Sequence, residues 1–239
     1  MQSGGFTNDD QKIAARRDLR ARLRSLSPGA RATASQAVGA TLIQFFPCPA
    51  GRVVAGFLPL PSEPDLTGFY HHWRHHGGHL AMPLITGHGQ MEFRLLPANE
   101  PAESAHPDPN SAPPSFPGII PGPHGLYEPD PTRCELAATS EISLVLVPGL
   151  GFAAGGLRLG RGGGYYDRWL AHLPSSTQTI GITFSIQICP SLPTLNHDQK
   201  VDFLLTESGW SAGNRGQPPI TATNPPPHQP MDKFPDPRF

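Results

Sequence analysis

Residues 158–167 read Arg-Leu-Gly-Arg-Gly-Gly-Gly-Tyr-Tyr-Asp, and this stretch carries the most information about the fold. It follows an apolar run at 144–147 and precedes a helical pattern at 169–173, which predicts a strand, a glycine-rich loop and a helix. Glycines leave backbone N–H groups bare, a helix N-terminus favours an anion, and arginines clamp phosphate oxygens in a fork. Asp167 is placed to hold the metal ion that accompanies a polyphosphate. We therefore predict a nucleotide-phosphate site.

The spacing within this loop differs from the two commonest phosphate motifs. Residues 160–165 lack the last glycine of the Gly-x-Gly-x-x-Gly pattern, and no Gly-Lys-Ser/Thr sequence closes the loop as a P-loop requires. Spacing alone thus predicts an anion-binding loop and leaves the cofactor open. The alternative is a surface loop with two solvated arginines.

Proline and glycine divide the chain into segments. Of 239 residues, 30 are proline and 26 are glycine, and they concentrate at 97–123 and near the C-terminus. Both stretches are too poor in regularly spaced apolar residues to build a core. We predict a flexible N-terminus at 1–11, one domain at 12–207 with a proline-rich insertion at 97–123, and a disordered tail at 208–239.

Charge and cysteine content exclude several classes of protein. The net charge is −1, so no broad basic face for nucleic acid is expected. Cys48, Cys134 and Cys189 are far apart, which favours a reducing compartment over a disulfide framework. The sequence shows neither a membrane-length apolar run nor a signal peptide. We expect a cytoplasmic monomer that binds neither membrane nor nucleic acid.

Alternating periodicities predict the fold. Helices are predicted at 12–26, from the Ser27-Pro28 cap to about 46, and at 66–76; strands are predicted at 52–58, 79–84, 91–95, 144–147, 179–184 and 203–206. This order predicts a single three-layer α/β domain with a mostly parallel central sheet flanked by helices, similar to a Rossmann fold. Ligands bind beyond the carboxyl ends of such strands. The loops after Leu58 and Val147 should therefore share one rim and bring Glu63 to the glycine loop.

Several further side chains have two interpretations. Lys12 and Arg16, four residues apart on one helix face, either contact phosphates or form a solvated basic face. Glu63 is either a surface carboxylate or an acceptor for a polar heterocycle. Asp198 is either part of a turn or a second metal carboxylate beside Asp167.

A histidine-rich segment precedes the second predicted strand and contains His71, His72, His75, His76 and His79. Pairs four residues apart on a helix suit zinc or nickel. A catalytic zinc site also needs a third ligand, for which the sequence offers no candidate. We therefore expect a polar helix surface that binds metal only adventitiously.

Together these motifs resemble the 5-formyltetrahydrofolate cyclo-ligase family. The match rests on Val-Pro-Gly-Leu-Gly-Phe at 147–152 and on Arg-Leu-Gly-Arg-Gly-Gly-Gly-Tyr-Tyr-Asp-Arg at 158–168. It is supported by Lys12-x-x-x-Arg16, Leu-Pro-x-x-x-Glu at 58–63, Met-Glu-Phe at 91–93, Gly-Leu-Tyr-Glu-Pro at 125–129 and Asn-x-Asp-x-Lys-Val-Asp at 196–202. The resemblance covers about 12–207 without the insertion.

The resemblance implies a reaction and a set of sites. It implies ATP- and Mg²⁺-dependent cyclisation of 5-formyltetrahydrofolate to 5,10-methenyltetrahydrofolate through a phosphorylated formyl group, with ADP and phosphate released. Arg161 would be the catalytic cation, Asp167 and Asp198 would bind magnesium, and Leu58, Glu63 and Tyr165 would contact the folate. ATP would be held by Lys12, Arg16, Arg158, Gly160, Arg161, Gly162, Gly163, Gly164, Tyr165 and Tyr166.

The chain departs from the family pattern at Gly163, where some members carry lysine, so one positive charge at the phosphates is absent. Two other functions are compatible with the motifs. One is an ATP-dependent ligase or kinase that acts on another small substrate. The other is a non-catalytic nucleotide-binding module, which the complete set of charged residues disfavours.

Overall fold

An eight-stranded sheet forms the centre of the protein. The computed structural model describes residues 7–46, 50–98, 116–122 and 126–215. The strands are β1 Val53–Ala55, β2 His79–Gly87, β3 Gln90–Leu95, β4 Ile119–Pro121, β5 Tyr127–Pro129, β6 Glu135–Leu136, β7 Ile142–Pro148, β8 Gly151–Ala153, β9 Leu157–Leu159, β10 Gln178–Ile182, β11 Ile188–Cys189, β12 Phe203–Thr206 and β13 Gly209–Ala212. The helices are α1 Asn8–Ser25, α2 Pro28–Phe45, α3 Thr67–His75 and α4 Tyr165–Leu170.

The strand order in the large sheet is β13-β12-β10-β7-β1-β2-β3-β6. Strands β12, β10, β7, β1 and β2 are parallel, whereas β13, β3 and β6 pair antiparallel with their neighbours. This confirms the predicted mostly parallel sheet. Because β1 and β7 are adjacent and parallel, the loops that follow them leave the sheet at the same edge, as predicted.

Apolar layers cover both faces of the sheet. On one face, α2 and α3 bury Leu42 and Trp73 against strand residues such as Leu146. On the other face, α4 buries Trp169, and Phe152 comes from a small second sheet of β11, β8 and β9. Helix α1 packs Leu19 and its neighbours on this second sheet in a separate apolar cluster. The three-layer prediction is confirmed.

Helix α1 begins earlier than predicted. Thr7 and Asp10 form a capping box: the Thr7 side chain accepts from the Asp10 backbone N–H, and Asp10 accepts from the Thr7 backbone N–H. Residues 8–11 are therefore helical rather than part of a flexible N-terminus; residues 1–6 lie outside the described residues. The predicted restart of the helix at Ser27 and Pro28 is confirmed by the Ser27 cap.

The predicted proline-rich insertion ends with a β-strand, and the predicted tail begins with one. Strand β4 lies inside the predicted insertion at 97–123 and pairs with β5, an arrangement in which Pro121 occupies the end of a two-stranded ladder. Strand β13 lies inside the predicted tail at 208–239 and forms one edge of the large sheet. The described part of each segment thus contains a strand, while residues 99–115, 123–125 and 216–239 lie outside the described residues.

Candidate active site

A cleft of about 820 Å³ opens at the carboxyl edge of β1 and β7. Every residue to which the sequence assigned a site role lines it: Lys12, Arg16, Leu58, Glu63, Arg158, Gly160, Arg161, Gly162, Gly163, Gly164, Tyr165, Tyr166, Asp167 and Asp198. These residues come from α1, the loop after β1, strand β9, the glycine-rich loop, the start of α4 and the segment before β12. The fold therefore brings together positions that are distant in sequence.

The glycine-rich loop joins β9 to α4, rather than following β7 directly as predicted. The short strands β8 and β9 intervene and turn the chain back toward the cleft. Gly164 has φ of 67° in the left-handed region, and a Cβ there would lie 2.9 Å from Arg168 Nη1. The loop therefore needs glycine at this position both for conformation and for space.

Arg168 fixes this loop against the turn between β2 and β3. Its Nε donates to the Gly89 carbonyl at 2.7 Å, and its Nη2 donates to the Gly163 carbonyl. Its guanidinium also lies 6.0 Å from the centre of the Tyr165 ring. Arg168 belongs to the motif at 158–168, but the sequence alone predicts no role for it.

Helix α1 contributes two cations to the cleft. Lys12 is buried, and its Nζ donates to Asp198 Oδ1 and Oδ2 at 2.8 and 2.7 Å. Arg16 Nε donates to the Gly160 carbonyl at 3.0 Å. Burial raises the pKa of Asp198, but the hydrogen bonds from Lys12 and Leu195 and the Lys12 charge outweigh it, so the net pKa lies below its usual value.

Arg158 and Asp167 form a second ion pair at the cleft. Arg158 Nη2 lies 2.8 Å from Asp167 Oδ1, which also accepts from the Gln199 backbone N–H at 3.2 Å. The Arg158 guanidinium lies 5.6 Å from the centre of the Tyr166 ring. Among the described residues, Arg158 Nε and the Tyr166 hydroxyl are buried without a hydrogen-bond partner. This corner thus retains two donors that no described residue satisfies.

Arg161 crosses the cleft to the loop after β1. Its Nε and Nη2 donate to Glu63 Oε1 at 3.0 and 2.8 Å, and Nη2 also donates to Ser62 Oγ at 3.2 Å. The other Glu63 oxygen accepts from the Leu60 backbone N–H at 3.0 Å. The predicted approach of Glu63 to the glycine loop is confirmed.

The carboxylates at this end suit a hard cation that takes part of its ligands from phosphate. Asp167 Oδ2 makes no hydrogen bond with the described residues, whereas both oxygens of Asp198 face the Lys12 ammonium. In the described part of the chain, no three His, Cys, Asp or Glu side chains are arranged as a metal site. Magnesium needs only one or two carboxylates beside phosphate oxygens and waters, so this donor set fits it.

Part of the cleft lining is mostly apolar, and the sequence alone predicts no role for most of it. This part consists of Phe57, Pro83, Ile85, Met91, Leu126, Tyr127 and Glu128. Met91 and the 125–129 segment belong to the family motifs, which are the sequence signal for this part of the cleft. An apolar wall in the same cleft as several cations suits a flat ring joined to an anion.

The histidine-rich segment lies outside the cleft. The His72 and His76 rings are 4.1 Å apart on α3, and His76 Nδ1 lies 2.8 Å from the His72 carbonyl oxygen. Burial, followed by the charges of His76 and His75, lowers the pKa of His72. None of these histidines contacts the candidate active site.

Fold and cleft together define an α/β protein with an arginine-flanked, glycine-rich loop at the carboxyl edge of a mostly parallel sheet. The chain belongs to the 5-formyltetrahydrofolate cyclo-ligase family, whose model matches residues 8–207.

Two relatives illustrate the range of similarity. A 5-formyltetrahydrofolate cyclo-ligase of Mus musculus is 44% identical over 79 residues, which cover 31% of this chain and 39% of the mouse protein. One of Mycolicibacterium smegmatis is 28% identical over 159 residues, which cover 66% of this chain and 74% of that protein.

A solved structure supports the same assignment. The 5,10-methenyltetrahydrofolate synthetase of Aquifex aeolicus superposes with a TM-score of 0.66 at 27% identity, covering 87% of this chain and 95% of that one.

None of the described helices has the length and apolar character needed to cross a membrane.

Proposed function

We propose that this chain catalyses the ATP-dependent cyclisation of 5-formyltetrahydrofolate to 5,10-methenyltetrahydrofolate, with release of ADP and phosphate. The observation that carries the proposal is the Arg161–Glu63 ion pair, which joins the glycine-rich loop to the loop after β1 inside one cleft. A phosphate donor on the first loop and a folate beside the second would meet at this contact. Family membership supports the substrate and the product.

In this proposal the two substrates occupy opposite ends of the cleft. ATP lies along the glycine-rich loop, where Lys12, Arg16 and Arg158 neutralise its phosphates and the loop backbone offers N–H donors. Tyr165 and Tyr166 border the nucleotide, and Tyr165 faces the folate as well. The folate ring lies beside Leu58 and Glu63 against the apolar wall.

The chemistry proceeds in two displacements. The formyl oxygen attacks the γ-phosphorus and ADP leaves, which makes the formyl carbon an activated imidate phosphate. The N10 lone pair then attacks that carbon, N10 loses its proton, and phosphate departs with the former formyl oxygen. Such transfers ask the protein mainly for positioning and charge neutralisation.

Arg161 is the residue we assign to the transferring phosphoryl group. Its side chain is 37% exposed, so it can change partners within the open cleft. Its fork-shaped guanidinium matches the oxygens that carry charge in the transition state. Glu63 holds the guanidinium at the boundary between the two substrates until they arrive.

Asp167 and Asp198 are the residues we assign to magnesium. The ion would neutralise phosphate charge and orient the γ-phosphoryl group when bound. Asp167 offers a free oxygen directly, whereas Asp198 becomes available once the Lys12 ammonium turns toward the phosphates. Asp167 could thus bind the ion without rearrangement, whereas Asp198 could bind it only after the Lys12 ammonium has moved.

The test is an absorbance assay with the purified full chain. Mixing it with 5-formyltetrahydrofolate and MgATP should produce the near-ultraviolet band of the methenyl product, and omission of ATP or of magnesium should abolish the rise. A folded sample that binds ATP without producing this band would contradict the proposed substrate and favour another small-molecule ligase reaction.

We also propose that the protein works as a cytoplasmic monomer. The described cysteines Cys134 and Cys189 are free thiols, which supports a reducing compartment. Sedimentation of the full chain at the assay concentration would test the oligomeric state, and a concentration-dependent increase in mass would contradict it.

A further inference from the structure

Glu128 is a buried carboxylate whose charge no described residue neutralises. It is 8% exposed and lines the cleft. It forms neither a hydrogen bond nor an ion pair with any residue that the structure describes. A carboxylate that lines a cleft and has no protein partner is available to a ligand that supplies N–H donors.

The hairpin of β4 and β5 holds this carboxylate in place. Glu128 pairs with Ile120 across the hairpin, and the Gly122 N–H closes it by donating to the Leu126 carbonyl at 2.6 Å. A Cβ on Gly122 would lie 2.7 Å from Glu128 Oε2, so the carboxylate lies directly against the hairpin backbone. In the unliganded protein the carboxylate therefore packs against the hairpin backbone at Gly122.

The three carboxylates of the cleft to which the sequence assigns a role are already engaged. Glu63 is paired with Arg161, Asp167 with Arg158, and Asp198 with Lys12. A ligand that used one of these as an acceptor would first have to displace a cation. Glu128 carries no such cost, and it lines the cleft together with Pro83, Ile85, Met91 and Tyr127.

We propose that Glu128 recognises the pyrimidinone edge of the bound folate by accepting hydrogen bonds from its N3–H and 2-amino groups. This edge presents two adjacent N–H donors, which match the two oxygens of one carboxylate. The apolar wall beside it accommodates the flat ring. The inference rests on the proposed function, because it names the part of the folate substrate that Glu128 binds.

The assignment makes Glu128 a specificity determinant. A ring that presents an acceptor at the same edge would leave the carboxylate buried and unpaired, and sites of this kind reject such analogues strongly. In the proposed function ATP lies along the glycine-rich loop and not against the β4–β5 hairpin. Loss of Glu128 should therefore affect folate and leave the nucleotide almost untouched.

The experiment compares the full chain with Glu128→Gln in the methenyl absorbance assay. The substitution keeps the shape of the side chain but removes the charge and places an amide donor against the ring donors. We expect KM for 5-formyltetrahydrofolate to rise about 10- to 100-fold and KM for ATP to stay within about twofold. Glu135→Gln, on the exposed edge strand β6, is the matched control and should leave both values unchanged.

A substrate analogue separates recognition from a structural effect. The wild-type chain should use the 2-desamino-2-methyl analogue of 5-formyltetrahydrofolate at least tenfold less efficiently than the parent, and Glu128→Gln should lose most of that preference. Thermal unfolding establishes that the variant is folded. Gly122→Ala, which pushes the carboxylate aside without removing it, should raise KM for folate in the same direction if Glu128→Gln does not fold.

The outcomes distinguish a failure of the proposed function from a failure of the role assigned to Glu128. A wild-type chain that fails to convert 5-formyltetrahydrofolate overturns the proposed function. A wild-type chain that converts it, with folded Glu128→Gln or Gly122→Ala showing unchanged KM for folate and unchanged preference for the 2-amino group, overturns this inference alone.

Discussion

Arg161 lies 2.8 Å from Glu63 although 98 positions separate the two residues in the chain. One belongs to the glycine-rich loop and the other to the loop after β1. The parallel pairing of β1 with β7 directs the chain to one edge of the sheet after each strand. The antiparallel pair β8 and β9 then returns the chain to the cleft before the glycine-rich loop. Substitution of Arg161 and substitution of Glu63 should therefore affect the reaction differently.

Removing the Arg161 side chain should reduce turnover without unfolding the protein. We expect Arg161→Ala to lower kcat about 100-fold or more, because the charge on the transferring phosphoryl group loses its stabilising cation. The assay is steady-state formation of the methenyl product. Arg52→Ala, an exposed arginine just before β1, is the matched control. Equal kcat in Arg161→Ala and the wild type would contradict the assigned role.

Asp167→Asn should raise the magnesium requirement. The asparagine amide is a weaker ligand for a hard cation, so the magnesium concentration for half-maximal activity should increase about tenfold. A magnesium titration at constant free ATP measures this change. Asp18→Asn, which alters an exposed carboxylate on α1, should show the wild-type curve. If Asp167→Asn did the same, Asp167 would not be a metal ligand.

The Lys12–Asp198 pair predicts a stability change with a defined pH dependence. Its side chains are 7% and 11% exposed, so Asp198→Ala leaves a buried ammonium unpaired and should lower the free energy of unfolding by about 3 kcal/mol at pH 7. Since folding lowers the pKa of Asp198, the pair stabilises the protein above the ordinary value of about 3.9.

That stabilisation should disappear as pH falls from about 4 through the lower pKa of the folded state. Urea unfolding at several pH values measures it. The difference in stability between the wild type and Asp198→Ala should narrow in acid. A constant difference across this pH range would contradict a stabilising charged pair.

Two C-terminal truncations should differ sharply. A chain ending at 215 keeps β13 and should unfold like the full protein. A chain ending at 207 loses that strand and Trp210, whose ring centre lies 5.4 Å from that of Phe45. We expect the shorter chain, and Trp210→Ala in the full chain, to be less stable by about 2 kcal/mol or more. Equal melting temperatures for all of these chains would contradict a structural role for β13.

Tyr166→Phe should stabilise the unliganded protein. The hydroxyl is buried without a described partner, and burial raises its pKa well above the usual value, so it remains neutral in any ordinary buffer. Removing an unsatisfied buried group should raise the free energy of unfolding by about 1 kcal/mol. Thermal unfolding without ligand measures the sign, and a lower melting temperature would show that the hydroxyl has a bonding partner in solution.

The sequence predicted the fold class and the meeting of the two loops, whereas it missed several short strands. Glycine spacing and charge type in 158–167 are local signals, and parallel strand order then brings Glu63 to the same edge. The strands β8 and β9 were missed because each has only three residues and no periodicity to detect. Proline content concealed β4, and the position of β13 in a polar segment concealed the packing of Trp210.

Glu128 illustrates a different limit of sequence reasoning. Its motif was visible, but whether a carboxylate is paired depends on side chains brought near by the whole fold. Lys12, Arg158 and Arg161 each have an acidic partner in the structure, and Glu128 has no described one. Such information arises only from tertiary contacts.

The contact between Lys12 and Asp198 spans 186 positions, nearly the whole length of the family match. At translation rates of about 5 to 20 residues per second, a ribosome needs roughly 10 to 40 seconds to make the intervening chain. During that time Lys12 lacks this partner, and the cleft lacks one of its carboxylates. The candidate active site can therefore be completed only after the ribosome has passed residue 198.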